Sequence, residues 1–239
     1  MVFSVKCLTD NYAHIIHDPE GRVTIVVDPS EYGPVADFLK LNNWNLDYIL
    51  VTHHHWDHVG GVPELKKQFN AKVVANSKDT HRIADVDIKV SDGEQVSLGP
   101  LSALVYEIPG HTVGHISYYL ASEKALFSGD TLFSMGCGRL FEGTPQQMFK
   151  SLQKLATLPD DTQVYCGHEY TLAHCRFIES LFPDERPLIV DFDAHRERYE
   201  KTNCTVPSLL GNEKRFNPFL RASTVEAFTD FRARKDSWS

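Results

Sequence analysis

The chain has 239 residues, a formal net charge of −8, 42% hydrophobic and 23% charged residues. That size allows one large domain or two unequal ones, in an ordinary globular composition. No apolar run reaches the length of a membrane span, and the acidic balance argues against a nucleic-acid partner.

The opening "MVFSVKCLTDNY" carries no basic region followed by an apolar block, so no signal peptide is expected. "VTIVV" (Val23 to Val27) and "YILV" (Tyr48 to Val51) are short β-rich apolar runs, expected as buried strands. "GPVADFLKLNN" between them predicts a helix, with Pro34 near its first turn and asparagines at its end. A second helix is expected from Pro63 to Phe69. Strand-like runs follow at Lys72 to Ala75, Leu101 to Ile108, Ile116 to Leu120 and Ala125 to Phe127. The alternation predicts an α/β body with helices covering sheets. After "YCGHEYT" the texture becomes helical, in "LAHCRFIESLF", "DFDAHRERYEK" and "TVEAFTDFRARK". The expected division is therefore a body, 1–169, and a helical domain, 170–239. Cys7, Cys137, Cys166, Cys175 and Cys204 are odd in number and show no C-x-x-C spacing. They argue against a disulfide framework and for a reducing, cytoplasmic setting.

Four loops end strand-like runs of the body, and each carries potential metal ligands. "THHHWDH" packs four histidines and an aspartate into Thr52–His58; "PGHTVGH" holds His111, "SGDTLF" Asp130 and "CGHEYT" His168. Without a cation, such clustered imidazoles would repel one another on protonation. In an extended segment His53 and His55 project to one side and His54 to the other. His54 is thus the expected non-ligand, and His115 is expected to brace its loop by hydrogen bonding. His14, His17, His81, His174 and His195 are expected to be surface or hydrogen-bonded residues. Seven candidates remain: His53, His55, Asp57, His58, His111, Asp130 and His168. A catalytic zinc takes three protein ligands, so seven suit two ions, with one carboxylate left to bridge. The residues alone do not assign each ligand to its ion. Zinc best suits the set, with iron or manganese as alternatives. Asp28, ending a strand in "VVDPS", is a candidate to orient a ligand histidine.

T-H-x-H-x-D-H, followed by "GHT", "GDTLF" and "GHEYT", resembles the metallo-β-lactamase superfamily. Within it, "GDTLFSMGCGRLFEGT", "GHEYT", "NPFLR" and "RARKD" resemble the hydroxyacylglutathione hydrolases, the glyoxalase II enzymes. The likeness runs from "DNY" (Asp10 to Tyr12) to the last helix. It implies an αββα sandwich followed by a smaller helical C-terminal domain. It implies His53, His55 and His111 on a first metal, Asp57, His58 and His168 on a second, and Asp130 bridging them. Two adjacent cations would ionise a shared water near neutral pH, giving a bridging hydroxide as nucleophile. Asp57 and Asp130 are ligands in that reaction before they are proton carriers. The implied substrates are S-D-lactoylglutathione and related 2-hydroxyacyl thioesters, hydrolysed in the second step of methylglyoxal detoxification. Arg232 and Lys235, three residues apart, share a helix face. The resemblance implies that they bind the glycine carboxylate of glutathione, with Arg139, Phe141 and Tyr170 as further contacts. Phe141 stands where many members carry tyrosine. The implied protein is a monomer with a small-molecule partner and no membrane.

Other activities predict different signs. A persulfide dioxygenase with one iron shares H-x-H-x-D-H but lacks the R-x-x-K tail. An antibiotic-hydrolysing lactamase is normally exported, and a tRNA-processing nuclease fits the acidic charge poorly. A non-catalytic metal-binding module predicts gaps in the ligand set, and none appears.

Overall fold

The computed structural model describes residues 1–238; Ser239, the last residue of the expected tail domain, lies outside them. Two six-stranded sheets face each other. The first runs in chain order, β1 (Val2–Cys7), β2 (Asn11–Asp18), β3 (Val23–Val27), β4 (Tyr48–Leu50), β5 (Lys72–Asn76) and β6 (Ile88–Val90). The β1–β2–β3 pairs are antiparallel and β3 to β6 are parallel. Helix α1 (Tyr32–Leu41) makes the crossover from β3 to β4. The one-turn α2 (Trp56–Val59) and α3 (Val62–Phe69) make that from β4 to β5.

The second sheet contains β7 (Gln95–Leu98), β8 (Leu101–Glu107), β9 (Ile116–Leu120), β10 (Ala125–Gly129), β13 (Gln163–Cys166) and β14 (Ser208–Leu209), in that spatial order. A small hairpin, β11 (Leu132–Phe133) with β12 (Gly136–Cys137), leaves the end of β10. Helix α4 (Pro145–Ala156) connects β10 to the parallel β13. It starts on a capping box in which Thr144 and Gln147 satisfy each other's backbone. The tail holds α5 (Thr171–Leu181), α6 (Arg186–Thr202), α7 (Leu210–Phe216), α8 (Pro218–Arg221) and α9 (Val225–Ser237).

Strand β3 shows why the layers form. All five residues are buried, because the sheet is covered on both faces. Ile25 and Val27 pack between the sheets with Val105, Ile116 and Tyr118, whereas Val26 packs outward with Val35, Leu39 and Leu65 from the helices. The outer face of the second sheet, Leu126 and Val164, packs against Met148, Leu152 and Leu155 of α4 and Phe177, Phe219 and Phe228 of the tail. The result is helix, sheet, sheet, helix.

The structure adds elements that the sequence reading did not name: β1, β2, β6, β7 and α4. The tail is helical as expected, with one short addition: β14 pairs with β13 and extends the second sheet. Among the described residues no helix is long and apolar enough to cross a membrane.

Candidate metal centre

The ligand-bearing loops open from the same end of the two sheets, after β4, β8, β10 and β13. The turn at Gly129 takes φ +48°, and a Cβ there would lie 2.4 Å from Thr52 Oγ1. Gly167 is fixed by crowding, since a Cβ would lie 2.4 Å from Asp130 Oδ1 and 2.6 Å from His58 Cε1.

Two clusters result. His53 Nε2 and His111 Nε2 approach His55 Nδ1 at 3.1 and 3.0 Å. His58 Nε2 and His168 Nε2 face each other at 3.3 Å, with Asp57 Oδ2 at 3.7 and 3.4 Å from them. Asp130 stands between the clusters. Its Oδ2 is 3.5 Å from His111 Nε2 and 3.2 Å from His168 Nε2, and its Oδ1 is 3.4 Å from His58 Nε2. All seven sequence candidates are thus brought together.

Outer partners fix the imidazole tautomers. His111 Nδ1 is 2.9 Å from the Arg139 carbonyl, which can only accept, so Nδ1 carries the proton. His58 Nδ1 donates likewise to Asp28 Oδ2 at 3.0 Å, and His168 Nδ1 to Asp10 Oδ1 at 2.8 Å. Thr52 gives its hydroxyl proton to Asp28 Oδ2 at 2.6 Å, so its oxygen accepts from His53 Nδ1 at 3.0 Å. The inner Nε2 atoms of His53, His58, His111 and His168 therefore present lone pairs whenever those imidazoles are neutral. Bare lone pairs 3 Å apart repel unless a cation lies among them. This donor set, two imidazole clusters joined by a carboxylate, fits two divalent ions. Asp28 also lies close to His53 and His58, but its oxygens are occupied by Thr52 and His58. It stands where it would orient His58 directly and His53 through Thr52.

The electrostatics agree. Burial holds His53 well below its usual pKa and His55 at about 4, so both stay neutral. Burial opposes charge on His58 too, yet Asp130 and Asp28 outweigh it and hold its pKa well above the usual value. The second cluster thus calls for positive charge. Asp130 is buried, but His168 and His58 keep its carboxyl well below the usual range.

The clusters open on a cavity of about 640 Å³ lined by Arg139, Phe141, Tyr170, Arg232 and Lys235, the five expected substrate contacts, together with Trp56 and Trp238. The Tyr170 ring stacks on His168 at 4.8 Å. Phe141 is exposed and meets His55 and His111 edge-on at 5.7 and 5.1 Å. Arg232 is buried; it donates to the Cys137 carbonyl at 2.8 Å and to Asp236 Oδ1 at 3.1 and 2.8 Å. Lys235 lies 4.3 Å from the Trp238 ring centroid. Burial and the nearby Arg232, Arg139 and Arg176 bring its pKa down to about 8.

Residues 12–168 match the metallo-beta-lactamase superfamily and residues 169–238 match the hydroxyacylglutathione hydrolase C-terminus. A hydroxyacylglutathione hydrolase of Rhodopseudomonas palustris strain BisB5 is 44% identical over 247 residues, 98% of this chain and 97% of its own length. This chain belongs to the hydroxyacylglutathione hydrolase family. Another relative with that name, from Bradyrhizobium sp. strain ORS 278, is 45% identical over 244 residues, 96% of each chain. Among solved structures, ETHE1 from Myxococcus xanthus shares the fold at TM-score 0.75 and 26% identity, over 98% of this chain and 90% of that one.

Sequence reasoning missed two groups of residues around this family's metal centre. Asp10 holds His168, and Asn11 Nδ2 donates to Asp57 at its carbonyl and at Oδ2, both at 3.0 Å. In the sequence, "DNY" marks only the start of the likeness. Asp79, Arg82 and Glu142 surround His54; D-x-x-R in a turn reads as solvated charge.

His54 turns away from both clusters, and His115 braces its loop, Nε2 accepting from the Asp130 N–H at 3.1 Å and Nδ1 donating to the Ile116 carbonyl.

Proposed function

We propose that the chain hydrolyses S-D-lactoylglutathione and related S-2-hydroxyacylglutathiones to the 2-hydroxy acid and glutathione, in a cytoplasmic monomer. The observation that carries this reading is the pairing of two histidine–carboxylate clusters with a cavity whose far wall is the cationic end of the family's C-terminal region. An odd count of five cysteines without C-x-x-C spacing and a net charge of −8 support the reducing setting and a small-molecule partner.

In this reading His53, His55 and His111 would hold one ion, Asp57, His58 and His168 would hold the other, and Asp130 would serve both. The ions are zinc, with iron or manganese as substitutes. Two such cations supply an ionised water at neutral pH and a positive field for the carbonyl oxygen. The protein's own groups do the rest. The fixed tautomers of His53, His58, His111 and His168 keep lone pairs turned inward without rearrangement. Lys235 and Arg139 draw the glutathione carboxylates to the far wall, while Tyr170 and Phe141 flank the thioester. Arg232, with its fork committed to Cys137 and Asp236, supports that wall and adds positive potential. The C–S bond breaks to release a thiolate, a base weak enough to leave without a strong acid beside it.

The test compares S-D-lactoylglutathione with a thioester lacking the glycine carboxylate. A charged hydrogen bond to a carboxylate contributes about 1.5–3 kcal/mol, so Lys235→Ala should lower kcat/KM about 10- to 100-fold on the full substrate. The truncated substrate should be insensitive. Equal losses on both would remove Lys235 from the carboxylate site. Oxygen consumption with glutathione persulfide, in place of thioester hydrolysis, would favour the dioxygenase reading.

A further inference from the structure

His54 is the one histidine of "THHHWDH" that neither cluster uses, and it enters a knot of charge behind the first cluster. Asp79 is fully buried. Its Oδ1 accepts from Arg82 through Nε at 2.7 Å and again through Nη2. Arg82 Nη1 continues to Glu142 Oε1 at 2.5 Å and lies 3.3 Å from His54 Nε2. His54 Nδ1 faces Asp79 Oδ2 at 3.3 Å, and neither atom makes a hydrogen bond elsewhere among the described residues.

The knot reaches both loops that complete the first cluster. Glu142 Oε2 accepts from the Val113 N–H at 2.8 Å, two residues beyond His111. The N–H groups of Phe141 and Glu142 donate to the His111 carbonyl at 3.2 and 3.3 Å. Gly114 packs so tightly on Asp79 that a Cβ would lie 2.4 Å from its carboxyl carbon. Segments 53–55, 111–114 and 139–143 thus converge on Asp79 and Arg82. The second cluster hangs from other partners, Asp10, Asn11 and Asp28.

We propose that Asp79, Arg82 and Glu142 form a clamp that positions His55 and His111, and so sets the affinity of the first metal cluster separately from the second. The proposal rests on the two-cluster reading above. These are positioning residues, since none of them lines the cavity. Partners that orient metal ligands typically alter metal affinity about 10- to 100-fold when removed.

The test is a chelator-competition titration of zinc-loaded enzyme, with metal analysis. Arg82→Ala should weaken one of two zinc ions about 10- to 100-fold and leave the other unchanged. Two backgrounds identify the ion. With His168→Ala, which spares the first cluster, Arg82→Ala should weaken the remaining ion. With His55→Ala, which spares the second, it should change nothing. Arg82→Lys, which keeps charge but not the fork, should fall between. Parallel weakening of both ions, or no change in a folded variant, overturns the proposal. If circular dichroism shows Arg82→Ala unfolded, Glu142→Gln decides. It keeps an acceptor for Val113 and removes the ion pair, so a several-fold loss is expected at the first cluster alone; unchanged affinity overturns the clamp. Wild-type enzyme binding fewer than two zinc ions would defeat the two-cluster reading instead.

Discussion

Lys235 is a lysine made titratable near physiological pH by its neighbours. Burial and three arginines lower it from an ordinary 10.5 to about 8. The charged form is the one that attracts a carboxylate. Below about pH 8 it is present, and above it is lost. The parameter kcat/KM reports groups of the free enzyme, so it should fall as pH rises through about 8, chiefly through KM. Lys235→Arg should flatten that limb, and its persistence would assign the titration elsewhere. Asp130→Ala tests the other end of the cavity. It removes the carboxylate whose oxygens approach His111 in one cluster and His58 and His168 in the other, so metal content should drop from about two ions to one or none, with nearly all turnover lost. An Asp130→Ala enzyme that keeps two ions would remove its spanning role. The candidate ligands were legible because they are chemically unusual where they stand: four histidines crowd into Thr52–His58. Asp10, Asn11, Asp79 and Arg82 were not legible, because ordinary polar residues acquire their meaning from partners far along the chain.

At the scale of elements, the hairpin β11–β12 is held from beneath by Asn217 and Glu213. Asn217 Nδ2 lies 3.3 Å from the Phe133 carbonyl and 3.0 Å from that of Gly136, and Glu213 Oε2 accepts from the Met135 N–H at 2.8 Å. Both side chains are fully buried. An orphaned buried polar group costs about 1–3 kcal/mol, so Asn217→Ala should lower unfolding free energy by about 2–3 kcal/mol in urea titration. Because the hairpin leads to Cys137 and Arg139, KM should rise more than kcat falls. Strands β3, β4, β5 and β9 were readable as apolar runs, since both faces of a central strand are buried. Strands β1 and β2 were not, because β1 lies at the edge with only Cys7 buried and β2 contains His14, a core residue that bridges Ser4 and the Cys166 carbonyl. Helix α4 does carry a legible signal, since Met148, Leu152 and Leu155 form a stripe at helical spacing. Strand β14 has no signal of its own; two residues become a strand only because β13 offers an edge.

For the whole molecule, the division at residue 169 is a division of sequence more than of packing. We propose that the body and the tail unfold together. Leu126 and Val164 of the sheet, the stripe of α4, and Phe177, Phe219 and Phe228 of the tail make one hydrophobic cluster. Calorimetry should therefore show a single transition. Leu152→Ala should destabilise that transition by about 2–5 kcal/mol without splitting it. Two separated transitions, with the mutation shifting only one, would establish independent units.

The shared cluster has a consequence during synthesis on the ribosome. The candidate ligands from His53 to His168 are translated before the residues that cover α4 and pair with β13. At roughly 5–20 residues per second, the 70 residues from 170 to 239 (239 − 169) take roughly 4–14 s to add. Until Phe177, β14, Phe219 and Phe228 have been added in turn, the chain has a helix face and a strand edge without their partners, features that recruit chaperones or neighbouring chains. A premature stop near residue 170 should thus yield aggregated product, although all seven candidate ligands have already been made.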